Sequence, residues 1–580
     1  MSAQEPAVDR RRRIVTRAAP LIALAVVSFA GGAIVAAGSD TEASERFLAA
    51  WEDGDFAAMH AELTPAAQEQ YSLKRFERSY ADAAQIATIS DLDAGDMQEE
   101  GEAAVAPVTI QTRAFGRFET ELSLPLEDGM VAWSPHLVFP GLADNEELSR
   151  RTRAPERASI LAADRTPLAS GPAAARSVGA AASAVVGSVG APTKAQAREL
   201  AARGFPPGTL TGMNGLELAW NDRLAGRPGG QLLAISADEQ SEVGGGRVLA
   251  SSEPLGGEPV RTTIDPALQE EAVVALGDLY GGAAVLDART GNVLALSGIA
   301  YSAPQPPGST FKIITATGAL DAGIVKPDDE FPVETSNSDI GREIPNAHDE
   351  PCGGTFAVSF ANSCNTVFAP LGAELGGEEL VATAEKFGFN STPTLFDDHA
   401  TAAIDPPQST IPPDLSESVE TGESAIGQGQ VLATPLAMAS VAQTIGNGGV
   451  RLPTPIARTD ELRPKADPVK VTSEQTAATM RELMIGVVNE GTGVAAALPG
   501  VQVAGKTGTA EIGPAALEPG QELKPGEEPP QETDAWFAAF APATDPKLAV
   551  AVMVVDSNGD GGTVAAPIAR QILAAGLGVG

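Results

Sequence analysis

Ser309 and Lys312 stand three residues apart directly behind Pro306-Pro307-Gly308, a turn from which a helix-like stretch departs. On a helix, positions three apart share a face, so a hydroxyl and an amine can meet there. A serine hydroxyl is a weak nucleophile until a neighbouring base takes its proton. An ammonium desolvated against apolar neighbours loses its proton more readily and can become that base. Phe311, Ile313, Ile314, Thr317 and Leu320 give the stretch an apolar face, and Gly323 marks its end. Ser309 is the only serine followed by a lysine at this distance. Ser363-Cys364-Asn365 is likewise the only Ser-x-Asn, and Lys506-Thr507-Gly508 the only Lys-Thr-Gly, ahead of Thr509 and behind the strand-like Val501-Gln502-Val503. Taken singly, a helix cap, a surface lysine and a strand end would be the plainer readings. Together they supply the parts of an acyl-transfer site: a nucleophile, a base and anchors for a substrate.

Composition narrows the alternatives. A chain of 580 residues has room for several domains and a large core. Its formal charge of −37 argues against nucleic acid as a partner, since that needs a basic footprint. The two cysteines, Cys352 and Cys364, form no Cys-x-x-Cys, and the four histidines are scattered, so neither a metal site nor a cofactor is expected. Arg10 to Arg13 and Arg17 precede an apolar run over 18–38. That length suits one bilayer crossing, with the arginines on the cytoplasmic side. A cleaved signal peptide is the alternative, but the run is long and no small-x-small site ends it. The expectation is a cytoplasmic tail (1–17), a single transmembrane helix (18–38) and an extracytoplasmic remainder. A lipid anchor is excluded, because no cysteine lies nearby.

The elements that must carry the site can be read in order. Phe47, Trp51, Met59 and Leu63 mark helices punctuated at Gly54-Asp55 and Thr64-Pro65, and Phe76 and Tyr80 share another. Strand patterns follow at 105–112 and through Phe118, Thr120, Leu122 and Leu124, with a last strand begun by Val131-Ala132-Trp133. Helices followed by a meander predict a small α+β domain over 41–148. The region 149–260, rich in Ala, Gly and Ser, reads as an elongated spacer, with a disordered linker as the alternative for 172–192. Beyond 261 come a helix from Pro266, a hairpin of 283–287 and 293–296, paired strands at 536–540 and 548–555, and a helix over 565–575. These predict an antiparallel sheet flanked by helices, with Lys506 on one strand. The stretch 512–533, full of Pro, Gly and Glu, reads as an acidic loop beside that strand.

The motifs, their order and their wide spacing resemble the transpeptidase domain of class B penicillin-binding proteins. Gly427-Gln428-Gly429 with Thr434-Pro435, Asn447-Gly448-Gly449, and Asp534-Ala535-Trp536-Phe537 extend the likeness over more than half the chain. The 41–148 region looks like the nuclear-transport-factor-like domain at the front of the subgroup that includes the low-affinity resistance transpeptidases. Arg153 to Leu161 and Asn214-Gly215-Leu216-Glu217 resemble that family's pedestal, so 149–260 is expected to lift a 261–580 transpeptidase domain off the membrane.

The resemblance implies roles. Ser309 would be the nucleophile and Lys312 the base for acylation. Ser363 would relay a proton to the leaving amine, and Asn365 would orient the lysine and bind the substrate amide. Lys506, Thr507 and Thr509 would hold the substrate carboxylate, and Gly508 would let substrate lie along the strand edge. The backbone N–H groups of Ser309 and Thr509 would form the oxyanion hole. It implies a peptidoglycan D,D-transpeptidase acting on D-Ala-D-Ala stem peptides and acylated by β-lactams, alongside a glycosyltransferase and other cell-wall synthesis proteins. A D,D-carboxypeptidase and a serine β-lactamase are the alternatives on the same fold. A non-enzymatic sensor is disfavoured, since so short a stretch precedes the apolar run. In an oxidising compartment Cys352 and Cys364 are expected to pair and pin the loop carrying Ser363, with two unpaired buried thiols as the alternative.

Overall fold

The computed structural model describes residues 41–236, 245–514, 531–557 and 559–579. The tail and anchor expected at 1–38 and the middle of the acidic stretch, 515–530, lie outside them. Among the described residues no helix is long and apolar enough to cross a membrane.

Four helices open the chain, Glu42–Asp53, Phe56–Ala61, Pro65–Gln70 and Leu73–Ala87. Each break has a local cause. Gly54 closes the first helix in a left-handed conformation, and the Asp55 and Thr64 side chains cap the next two by accepting from Ala58 N and Ala67 N. The helices cover an antiparallel sheet built on Ile89–Ala94, Ala103–Thr112 and Gly116–Glu127. Phe47, Met59, Phe76, Tyr80, Leu122 and Leu124 fill the space between. The strand expected from Val131 is only Met130–Val131, followed by a 3-10 turn at Pro135–Val138. Pro135 has no N–H to continue a ladder, and Trp133 turns inward instead, donating from Nε1 to the Tyr80 hydroxyl at 3.1 Å.

The spacer consists of three small sheets. Glu146–Arg153, Gly229–Ser236 and Arg247–Ser252 form one, Ile160–Leu161, Pro167–Ser170, Ser177–Val178 and Val260–Arg261 a second, and Val189–Gly190 with Thr211–Gly212 the third. They are joined by short helices and turns that also order most of 172–192, the stretch for which disorder was the alternative. A buried ion triad shows why. Nε of Arg157 and Nε of Arg176 each donate to one carboxylate oxygen of Glu217 at 2.6 Å, with all three side chains nearly inaccessible. Arg176 also donates to the Ala158 carbonyl at 2.8 Å, and Arg157 to Asn221 Oδ1 at 3.0 Å. The apolar content of this region is low, and a satisfied charge cluster takes the place of a larger core.

The C-terminal part is a five-stranded antiparallel sheet in the order Val293–Gly298, Gly281–Asp287, Leu548–Ser557, Gln531–Ala541, Ala504–Pro514. Helices Pro266–Leu276 and Ala566–Leu577 pack on one face, burying Ala535, Phe537 and Val552. The other face, with Trp536, Ala538 and Phe540, meets a helical body. The helix behind Ser309 is Lys312–Asp321, preceded by a 3-10 turn at Gly308–Phe311. It was expected to bury one face, yet every residue from Lys312 to Ala319 is buried, because helices Asn365–Leu375, Gly377–Phe387 and Glu474–Asn489 surround it. Two strand boundaries also differ from expectation. Lys506-Thr507-Gly508 lies on a strand of the sheet, as expected, but that strand begins at Ala504, beyond Val501-Gln502-Val503, and the ends of the acidic stretch are paired, Gly513 with Glu532 and Pro514 with Gln531.

Removing one partner of a buried ion cluster leaves the others charged and unpaired. Glu217→Ala should therefore lower stability by about 3–5 kcal/mol. Chemical denaturation followed by tryptophan fluorescence reads this, and a change below 1 kcal/mol would show that the triad is solvated in solution.

Candidate active site

Ser309 sits half-buried in the 3-10 turn Gly308–Phe311. Lys312 follows that turn as the first residue of the helix Lys312–Asp321. The turn is wedged against two other segments. Gly308 N donates to the Gly427 carbonyl at 3.0 Å. Gly308 (φ +50°) and Gly427 (φ +74°) are both left-handed, and a Cβ on Gly427 would lie 2.0 Å from the Gly308 carbonyl oxygen. A Cβ on Gly308 would meet the Thr509 carbonyl oxygen at 2.5 Å. The N–H and C=O of one strand residue open to the same side. The Thr509 amide therefore faces the Ser309 turn at the free edge of the sheet and not the neighbouring strand.

Lys312 and Lys506 are both fully buried, and they converge on one hydroxyl. Lys312 Nζ donates to Asn365 Oδ1 at 2.6 Å, to the Ser363 carbonyl at 2.8 Å and to Ser363 Oγ at 3.3 Å. Lys506 Nζ donates to the same Ser363 Oγ at 2.8 Å and to the Thr507 carbonyl at 3.1 Å. Ser363 is left-handed (φ +62°), an unusual state for a residue with a side chain. That backbone turns its carbonyl and hydroxyl together toward the lysines. The turn is held on both sides: Cys364 is disulfide-bonded to Cys352, and Asn365 Nδ2 donates to the Pro345 carbonyl at 3.0 Å. The latter bond fixes the Asn365 amide with its oxygen toward Lys312. Phe368 lies under Lys312 Nζ at 5.4 Å and Phe360 under Lys506 Nζ at 5.7 Å, ring faces suited to a cation.

The electrostatic outcome follows from burial. Lys312 is held well below the ordinary lysine range, first by loss of hydration and then by the charge of Lys506. Burial alone brings Lys506 down to about 7. Two ammonium groups sharing one hydroxyl in a dry site cannot both stay charged, and Lys312 is the one that gives up its proton first. Among the described residues no carboxylate pairs with either lysine.

The structure thus brings Lys312, Ser363, Asn365 and Lys506 into one constellation behind the Ser309 turn, and it revises two readings along the Lys506 strand. The Thr507 hydroxyl is buried and bonded to Thr492 Oγ1 at 2.6 Å, since successive strand residues point to opposite faces. Thr509 keeps an accessible side chain, whose Oγ1 accepts from Gly561 N at 3.3 Å. Gly508 serves the enzyme's own packing: a Cβ there would lie 2.6 Å from the Pro307 carbonyl oxygen and 2.9 Å from Thr310 N. Residues that sequence reasoning passed over include Pro345, Phe360, Phe368, Thr492 and Gly561. Nothing in their local sequence marks them, because each acts only through a neighbour distant in the chain.

An antiparallel sheet with a buried lysine pair and a serine turn wedged against its edge strand defines a serine enzyme of the penicillin-interacting class. Comparison with known proteins gives the same class. The penicillin-binding protein transpeptidase domain matches residues 281–574, the penicillin-binding protein dimerisation domain 174–262, and the NTF2-like N-terminal transpeptidase domain 39–146. The chain belongs to the penicillin-binding protein transpeptidase family. It is 34% identical over 382 residues to the peptidoglycan D,D-transpeptidase PbpA of Mycolicibacterium smegmatis, covering 56% of this chain and 73% of that protein. It is 33% identical over 388 residues to PbpA of Mycobacterium tuberculosis, with the same coverage. The crystal structure of PBPA from M. tuberculosis superposes with a TM-score of 0.55 at 26% identity, covering 73% of this chain and 99% of that one. Structures of that protein include ceftriaxone and penicillin G acyl-enzyme complexes.

The tight approach at Gly508 gives a direct check. Gly508→Ala must push the strand away from the Ser309 turn, and a misplacement near 1 Å costs about 10²-fold in rate. Stopped-flow acylation by a fluorescent penicillin should slow by about that factor while the melting temperature moves little.

Proposed function

We propose that this protein cross-links peptidoglycan as a serine D,D-transpeptidase. Ser309 Oγ attacks the carbonyl of the penultimate D-Ala of a stem peptide, and its proton passes to the neutral amine of Lys312. The tetrahedral oxyanion is held by the backbone N–H groups of Ser309 and Thr509, one such donor being worth about 3 kcal/mol. On collapse, Ser363 Oγ passes a proton to the departing D-Ala nitrogen and is resupplied from the lysines on either side of it. The ester on Ser309 is then resolved by an amine acceptor. Thr509 at the accessible edge receives the terminal carboxylate, Lys506 supplies positive charge beneath it, and that anion favours the charged form of Lys506. Asn365 keeps Lys312 aimed. β-Lactams follow the first half of this path and stop at the acyl-enzyme.

The observation that carries the reading is Ser363 Oγ placed between two fully buried lysine amines, at 3.3 Å from one and 2.8 Å from the other. A hydroxyl so placed can pass protons in either direction, which acyl transfer to a leaving amine requires. A serine β-lactamase needs in addition a base that activates water on the acyl-enzyme. Glu511, the acidic residue nearest the Lys-Thr-Gly run, is exposed on the strand opposite Thr533 and has no bond to either lysine among the described residues. We assign the 18–38 run as a single membrane anchor, 41–148 and 149–260 as spacer domains, and 261–580 as the transpeptidase domain working outside the membrane beside a glycosyltransferase.

Labelling with a fluorescent penicillin and mass mapping of the adduct tests the reading. The adduct is expected on Ser309 alone, absent in Ser309→Ala, and stable for minutes to hours. Turnover of penicillin at several per second would make the protein a lactamase. Lys312→Ala should slow acylation by about 10²–10⁴-fold, and a rate within a few-fold of wild type would remove its role.

The pH dependence has a definite sign. Only neutral Lys312 accepts the serine proton, so the acylation rate rises with pH through the depressed Lys312 pKa. Lys506→Gln removes a charge that disfavours the Lys312 ammonium, so the Lys312 pKa goes up and the rising limb moves to higher pH. The effect should be largest below about pH 7, where Lys506 is itself protonated. A limb that stays in place or moves to lower pH would show that the two amines are not coupled.

A further inference from the structure

The cleft has a second crossing above the lysines. On one wall, Pro345 accepts from Asn365, and the chain runs on through the turn Ala347–Asp349. On the other wall, Gly561 N donates to Thr509 Oγ1, and a Cβ on Gly561 would lie 2.4 Å from the Gly508 carbonyl oxygen. The residue before Gly561 is Asp560. His348 Nε2 donates to Asp560 Oδ2 at 3.2 Å, which joins the Asn365 wall to the Thr509 wall. The floor of the cleft is closed by Lys506 bonded to Ser363, out of reach of solvent. The upper crossing is exposed, with 67% of the His348 side chain and 42% of that of Asp560 accessible.

Three features suit this upper pair to opening. An exposed hydrogen-bonded pair is weakly held, because water competes for both partners. His348 (φ +58°) and Asp349 (φ +53°) are consecutive left-handed residues with side chains, a strained pairing that clusters at functional sites. Asp560 is the fixed end, its backbone bonded to Thr563 and Val564, so parting the pair falls to the His348 turn. Both ends are also tied by single hydrogen bonds to site residues, Asn365 and Thr509, so parting the pair disturbs neither lysine directly.

We propose that His348 and Asp560 form a latch across the mouth of the cleft and thereby select acyl donors by bulk. A compact donor reaches Ser309 beneath the closed pair. A donor carrying a large side chain, or a peptide still attached to its glycan, enters only the fraction of molecules in which the pair has parted, and its apparent affinity falls by that fraction. The inference rests on the transpeptidase reading for the position of Ser309, and the wild-type acylation rate tests that reading separately.

The measurement is the second-order acylation rate with penicillin G and with the bulkier ceftriaxone, expressed as the ratio of the two. His348→Ala and Asp560→Asn should each raise the ceftriaxone-to-penicillin ratio by about two- to fivefold, the range expected from losing one exposed side-chain pair. The converse uses the protein carrying both His348→Cys and Asp560→Cys, bridged by a short, reducible bifunctional methanethiosulfonate. Bridging should cut the ceftriaxone rate by about tenfold or more and spare penicillin G, and reductant should reverse the loss. Wild-type protein given the same treatments controls for the native disulfide. A ratio unchanged in both single variants and in the bridged protein would overturn the latch, as would failure of the two thiols to bridge. Absence of any penicillin adduct on wild-type protein would instead overturn the transpeptidase reading.

Discussion

Two amines and one hydroxyl, sealed from water, set the terms for everything else in the catalytic domain. Lys312 and Lys506 reach Ser363 Oγ from opposite sides, and neither has a carboxylate partner among the described residues. Leaving a buried ammonium without a counter-ion is costly, and the site meets that cost by keeping one amine neutral. That neutral amine is the base the proposed reaction needs. The same burial that would count as a flaw in a structural core is here the source of reactivity, and only the surrounding fold makes it tolerable.

The scaffold achieves this by bringing backbone against backbone. At Gly308, Gly427, Gly508 and Gly561 a side chain would collide with a main-chain oxygen closer than any van der Waals contact allows. These positions join the Ser309 turn, the Gly427 loop, the edge strand and the turn after the last strand into one tightly packed joint. Precision at the nucleophile therefore derives from the absence of side chains around it. The Ser363 loop is fixed differently, by a disulfide at Cys364 and an amide bond from Asn365, because its strained backbone has to be held from outside.

The rest of the chain is built on weaker internal resources. The spacer holds itself with the Arg157–Glu217–Arg176 triad where apolar residues are few, and the N-terminal domain with an aromatic cluster around Tyr80 and Trp133. Neither contributes a side chain to the Ser309 site.

The sequence by itself determined the class of chemistry, the order of the domains and most of the strands of the catalytic sheet. Three short motifs carry their meaning in residue type and local spacing, and the alternation around Leu122 reports a sheet with one buried face. It also placed Lys312 three residues behind Ser309, at the start of the helix that follows the turn. What tertiary structure alone decided is which groups meet from afar. Ser363 came within reach of Lys506 through the left-handed turn at its own backbone, and Thr507 was drawn away from the cleft by Thr492, fifteen residues earlier. Gly508 was read as room for substrate, when the neighbour it makes room for is the Pro307 carbonyl. The helix behind Ser309 was read as amphipathic, when three other helices close over its second face. Local spacing encodes what one element presents, but burial, and with it the proton affinity of each lysine, is a property of the elements that come to surround it.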